Sequence, residues 1–150
     1  MAIALTPGLR RELEAHRVGH LATADSVGVP HLVPVTFAIS GDTIVFVVDE
    51  KPKRNHGTGI KRVRNILANP TVAFLVDRYD EDWDRLAYVL VRGRAAVVDS
   101  AGPDYDAATR ALRSRYPQYR TLTLTPSRNP VIQIIPEHVH RWHGGRRAPS

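Results

Sequence analysis

Apolar residues in this chain gather into short, β-branched runs separated by turn-forming residues, and only three stretches carry helical spacing. The first is "PGLRRELEAH", residues 7–16, with Leu9 and Leu13 in a stripe that Val18 extends. Thr6 as N-cap and Pro7 at the first helical position supply its start. The second is "IKRVRNILANP", with Ile60, Val63, Ile66 and Leu67 on one face and Lys61, Arg62, Arg64 and Asn65 off it; Asn69-Pro70 ends it. The third is "GPDYDAATRALRSRY", built on Ala107, Ala108, Ala111 and Leu112.

Between and around these helices the pattern predicts six strands. They are "GHLATAD", "PHLVPVTFAI", "TIVFVVD", "TVAFLVD", "LAYVLVRGRAAVVD" and "VIQIIPEHVHRWH". Ser26-Val27-Gly28 and Ser40-Gly41-Asp42 are turn chemistry, so the first three strands read as a meander. Gly93 inside the long fifth strand marks a bulge or bend. Hairpin-length turns and few helices imply a mainly β fold with peripheral helices: a six-stranded, mostly antiparallel barrel. At 150 residues the chain reads as one domain, with residues 144–150 as a flexible tail.

Composition narrows the chemistry. There is no cysteine, which excludes disulfides and thiolate metal sites. No apolar run approaches the roughly 18 residues of a membrane span, and the N-terminus lacks a signal-peptide pattern, so a cytoplasmic protein is expected. Net charge is +6, a field that favours anionic partners. That charge is concentrated. Residues 51–65, "KPKRNHGTGIKRVRN", hold six Lys or Arg and no acid. Lys51 to Gly59 reads as a glycine-bearing loop leading into a helix N-terminus, where free N–H groups and the dipole attract anions. Charge runs are usually solvated faces. The convergence of loop and helix favours a phosphate site here. It is neither a Walker loop nor a dinucleotide fingerprint.

Other signals are weaker. Nucleic acid is an unlikely partner, because aromatics are 7% and "YDEDWD" places four acids behind the basic helix. His138 and His140 share a strand face, yet they lack a carboxylate beside them, so no metal is assigned. His16, His20, His31 and His56 are scattered. No nucleophile constellation is present and no catalytic residue is named. Trp83, in a connecting loop, reads as a core residue.

The order of these pieces carries a resemblance. "GHLATAD", "PHLVPVTF", "KRVRNILANPTVAFLVD", "YDEDW" and "GRA" together resemble the pyridoxamine-phosphate-oxidase-like superfamily, in particular an actinobacterial branch described as F420-dependent oxidoreductases. The resemblance spans roughly residues 8 to 142. It implies a split β-barrel homodimer with two sites at the subunit interface, for the deazaflavin coenzyme F420 or, alternatively, FMN. Lys51, Lys53, Arg54, Lys61 and Arg62 would neutralise the cofactor phosphate, with help from Asn65. Pro34, Val35 and Thr36, with Val47 and Val48 beside them, would border the tricyclic ring, as would Trp83. The activity implied is hydride transfer to a small conjugated acceptor, chemistry that needs no protein nucleophile. The acceptor would meet residues 79–84 and 117–130. Two rival classes are a cofactor-binding protein without turnover and a nucleic-acid-binding module. "HRWHGGRRAPS" departs from the ending of true pyridoxine-phosphate oxidases, which argues against a vitamin B6 substrate.

Overall fold

The computed structural model describes residues 1–48 and 58–145. Three helices, α1 (Pro7–Glu14), α2 (Thr58–Ala68) and α3 (Pro103–Arg115), accompany seven strands. These are β1 (Gly19–Ala24), β2 (Pro30–Val35), β3 (Ala38–Ser40), β4 (Thr43–Val47), β5 (Thr71–Arg78), β6 (Ala87–Val98) and β7 (Val131–His143). All pairings are antiparallel, in the order β2-β1-β5-β6-β7-β4-β3.

That order explains the barrel. β2 and β3 occupy opposite edges of the sheet, yet only Thr36 and Phe37 separate them in sequence. The sheet must therefore curl until its edges meet. The expected strand "PHLVPVTFAI" is thus two strands, and the count is seven rather than six. Nor do the first three predicted strands form a meander: the chain makes two hairpins, β1–β2 and β3–β4, joined by a corner.

The corner has a physical cause. Phe37 is fully buried and meets the Phe74 ring edge-on at 4.9 Å. Its backbone groups leave the ladder and turn to one hydroxyl. Tyr116 Oη accepts from the Phe37 N–H at 3.2 Å and lies 2.9 Å from the Phe37 carbonyl. A side chain has replaced a strand as the hydrogen-bonding partner.

β4 shows where the layers lie. Ile44 and Phe46 point into the main core with Leu21, Phe74, Val91 and Ile134, while Val45 and Val47 face the other way. α3 covers that second face with Tyr105, Ala108 and Leu112. α1 and α2 send Leu9, Leu13 and Ile66 into the main core. The outer face of β2, β1, β5 and β6 carries Leu32, Ala22, Ala73, Leu75 and Leu90 around an open concavity of about 410 Å³.

Local expectations fare unevenly. Thr6 caps α1, its hydroxyl accepting from Leu9 N at 3.2 Å. The helix stops at Glu14, so Val18 lies beyond it and is half exposed. The bulge expected at Gly93 is present between Arg92 and Gly93. A Cβ there would sit 2.1 Å from the Ile135 carbonyl oxygen, which no side chain tolerates. α2 begins at Thr58, so Gly59 is helical rather than loop. Leu67, expected on the apolar stripe, is exposed. Gly144, in the expected tail, donates its N–H to the Leu86 carbonyl at 2.8 Å. Residues 146–150 lie outside the described residues.

Candidate functional site

The polar focus of the molecule lies where α2 crosses the tip of the β1–β2 hairpin. The hairpin register puts Thr23 opposite His31, on the same face as Leu21 and Val33. Thr23 is buried although polar, and so is Asn65 of α2. They satisfy each other, Asn65 Nδ2 donating to Thr23 Oγ1 at 3.1 Å. Arg62 lies one turn before Asn65, so the two share a helix face. This corrects the expectation that both lie off the buried side. The inward face of α2 is apolar at Ile66 and polar at Arg62 and Asn65.

Two polar atoms at this junction stand out. Arg62 Nε and His31 Nδ1 are shielded from solvent and have no hydrogen-bond partner among the described residues. Burial holds the Arg62 guanidinium below its ordinary pKa, though an arginine stays charged. The His31 imidazole is also held below its ordinary value, first by burial and then by the nearby Lys61 and Arg62 charges. A buried charged donor without an acceptor costs on the order of 1–3 kcal/mol or more. Buried polar groups are otherwise nearly always paired, so these two orphans, close together, make the junction a candidate ligand site.

The hairpin tip frames this site. Asp25 Oδ1 accepts from Val27 N at 3.0 Å and Val29 N at 2.9 Å, which locks the turn. Gly28 sits at φ 90°, where a side chain would be strained. Those backbone bonds, Val29 foremost, hold the Asp25 carboxyl below the usual carboxylate range, and Lys61 adds to the effect. Between the tip and α2, beside Arg62 and His31 but not lined by them, runs a groove of about 660 Å³ edged by Asp25, Ser26, Lys61, Arg64, Asn65, Leu67 and Ala68.

The remaining expected residues are dispersed. Lys51, Lys53 and Arg54 lie outside the described residues. Val35 and Val48 are buried in the main core and Val47 under α3, so their side chains build the fold. Pro34 is exposed at the open face of β2. Thr36 stands beyond the end of β2, its hydroxyl 2.7 Å from that of Tyr119. From His31 to Thr36 the chain covers about 17 Å at about 3.3 Å per residue. Trp83 is 68% exposed, so the core reading fails. It follows the far end of β5 from α2, roughly 23 Å away along that strand at about 3.3 Å per residue. One protomer therefore does not bring Trp83 to Arg62.

Thr23 and His31, which belong to this candidate site, were not among the expected site residues. The signal was available: reflecting the sequence about Val27, the centre of the predicted turn, sets Thr23 opposite His31. Among the described residues no three His, Asp or Glu side chains group as a metal site, and no helix is long and apolar enough to cross a membrane.

Comparison with known proteins agrees on the fold. A conserved hypothetical protein of Mycobacterium tuberculosis superposes with a TM-score of 0.71 at 20% identity, covering 95% of this chain and 87% of that one. HutZ, the haem storage protein of Vibrio cholerae, gives 0.69 at 16% identity, covering 95% and 98%. An FAD-binding protein of Mesorhizobium loti gives 0.61 at 23% identity, covering 93% and 95%. Among curated proteins no sequence matches this chain. The pyridoxamine 5'-phosphate oxidase family model matches residues 5–143. With nearly the whole barrel inside that match, the chain belongs to the pyridoxamine 5'-phosphate oxidase family and has its split-barrel fold.

Proposed function

We propose that this protein binds a phosphate-bearing redox cofactor, coenzyme F420 or alternatively FMN, and transfers hydride to a small conjugated acceptor. The observation that carries this reading is the buried Arg62 Nε, without a partner among the described residues, beside Lys61 and His31. A phosphate supplies the acceptor oxygens these donors lack, and arginine meets it with a planar fork of N–H groups. FAD-binding proteins of Mycobacterium smegmatis and Mesorhizobium loti share the fold.

Either cofactor, when bound, supplies the hydride chemistry of its tricycle. The residues of this chain do the rest. Arg62 and Lys61 neutralise the phosphate, together with Lys51, Lys53 and Arg54 from the preceding segment. Asn65, fixed by Thr23, holds α2 in register so that Arg62 stays aimed at the anion. Val35, Val47 and Val48 are locked in the core and give a rigid backbone beside Pro34 and Thr36, where the ring docks. Rigid support of this kind supplies orientation. The lack of a nucleophile is no obstacle to hydride transfer.

The reading includes a homodimer. The apolar outer face of β2, β1, β5 and β6 is the surface a second copy would cover. A dimer also offers Trp83 a route to a site, from the partner protomer.

Titration of the purified apoprotein with F420 and with FMN, followed by fluorescence, tests the proposal. Binding of one, weakened by Arg62→Met, supports it; binding of neither removes it. Binding without reduction of a broad acceptor panel would assign a carrier rather than an enzyme. A second reading, haem binding, draws on the outer face of β6 and β7. There Tyr88 stacks on Trp142 at 5.7 Å and lies 5.7 Å from the His140 ring. Haem-binding proteins share this fold. A Soret band on adding haem, lost in His140→Ala, would favour it.

A further inference from the structure

We propose that His31 is a proton-linked member of the anion site: neutral in the free protein, it takes up a proton when phosphate binds beside Arg62. The inference rests on the phosphate reading above and adds to it a residue and a pH dependence.

The geometry is specific. β2 presents His31 on the face that α2 covers, in register with Thr23. Its Nδ1 is shut off from solvent and has no partner among the described residues. The charges that act on it, Lys61 and Arg62, both come from α2 and both are positive. The group facing it from β1 is Thr23, which is neutral and already engaged with Asn65. Asp25, at the hairpin tip, interacts electrostatically with Lys61 and is further occupied by backbone N–H groups. A second positive charge on His31 is therefore disfavoured in the free state, and a neutral imidazole has an N–H on only one of its nitrogens.

Phosphate reverses the balance. It brings about −1.5 to −2 charge at neutral pH into a partly desolvated site. The same imidazole then gains a counter-ion, and its protonated form offers donors from both nitrogens. By linkage, a group whose pKa rises on binding takes up protons in the window between its free and bound values. The free value lies below 6.5. Affinity for a phosphate ligand should therefore strengthen as pH falls from about 8 towards 6, at up to tenfold per pH unit for one proton. The ligand's own second ionisation, near pH 6 for a phosphomonoester and roughly one unit higher for inorganic phosphate, opposes this. A variant without the imidazole keeps that opposing contribution and loses the first.

The test is calorimetry on the full chain with inorganic phosphate, the chemistry common to both cofactors, and with FMN and F420 as separate arms that identify the source. Buffers of different ionisation heat count the protons. A one-unit rise in the His31 pKa adds up to about half a proton per phosphate to the wild type's uptake between about pH 6 and 7. His31→Gln should lose that added uptake and bind more weakly at pH 6.5 than the wild type, with little difference at pH 8. The His31 ring signals, followed by NMR in the wild type, should titrate about one pH unit or more higher with saturating phosphate. Equal proton uptake by wild type and His31→Gln, or an unmoved His31 titration, overturns the proposal. In that event weakened binding by Arg62→Met still upholds the anion site. Arg62→Met binding all three ligands as the wild type does would remove that site and this inference together.

Discussion

Two helix-borne arginines divide this molecule into a part that is finished and a part that waits. Arg115, at the end of α3, donates to the carbonyls of Glu14 (3.0 Å) and His16, and to the Tyr116 hydroxyl (3.2 Å). It also lies over the Phe37 ring at 5.2 Å. Arg62 on α2 is comparably sheltered, yet its Nε has no acceptor among the described residues. Both arginines belong to the basic excess visible in the sequence, and composition cannot tell them apart. Satisfied hydrogen bonds mark the first as structural. An Nε with none among the described residues makes the second a candidate binding group.

The comparison breaks most visibly through Arg115→Met. That change leaves two carbonyls and the Tyr116 hydroxyl without a charged donor and loosens the corner at Phe37. We expect about 2–3 kcal/mol less stability, measured as a urea midpoint at constant slope, with phosphate affinity in the surviving fold nearly unchanged. A loss under about 0.5 kcal/mol would mean that the network around Tyr116 is ornamental.

Arg62→Met should do the reverse. Losing a charge-assisted hydrogen bond to phosphate weakens binding by about 1.5–3 kcal/mol, roughly 10- to 100-fold. Stability should hold or rise slightly, because a partly buried guanidinium whose Nε lacks an acceptor among the described residues has been replaced by an apolar side chain of similar length. A parallel fall in stability and affinity would show that Arg62 is structural after all, and the contrast between the two arginines would collapse.

Asn65→Ala lies between these cases. It removes the bond to Thr23 and leaves a buried hydroxyl unpaired, for about 1–2 kcal/mol of stability. It also frees α2 to shift, so affinity should drop severalfold, less than with Arg62→Met. Pairing Asn65→Ala with Thr23→Val in a double-mutant cycle should recover part of the stability but not the affinity.

How far the sequence foretold this division depends on the kind of signal. Apolar runs and turn residues set out the strands, the helices and the Gly93 bulge, because burial is periodic and punctuated by backbone chemistry. The break in "PHLVPVTFAI" was invisible, since Thr36 and Phe37 are good strand residues. What ends the strand is Tyr116, about 80 residues away, taking over the backbone bonds of Phe37. Trp83 misled for a related reason: an aromatic suggests a core, but the acidic turn around it is shaped by bonds such as Asp82 N to Asp80 Oδ1, not by burial. The basic stretch leads into α2, where the proposed anion site lies. Of the described cations of that stretch, Lys61, Arg62 and Arg64, only Arg62 has a shielded polar atom without a partner among the described residues, and the hairpin register sets His31 beside it.

The smallest expected effect separates the same two regions through their histidines. His16, next to the Arg115 network, is held below its ordinary pKa of 6.5, mainly by burial; Asp77 and Glu12 oppose this, while Arg78 and Arg115 reinforce it. His31 is lowered by burial, Lys61 and Arg62. In both cases the unfolded chain binds the proton more readily, so the stability these groups contribute is complete above about pH 6.5 and is lost as pH falls below it towards the folded values. Urea midpoints should therefore decline modestly from pH 7 to 5.5. Saturating phosphate should flatten the share due to His31, whose charged form it favours, and leave the share due to His16 untouched. His31→Gln should accordingly abolish the phosphate-dependent part of the slope, and His16→Gln should not. If both variants respond to phosphate alike, the finished and waiting halves of the barrel are electrostatically one region.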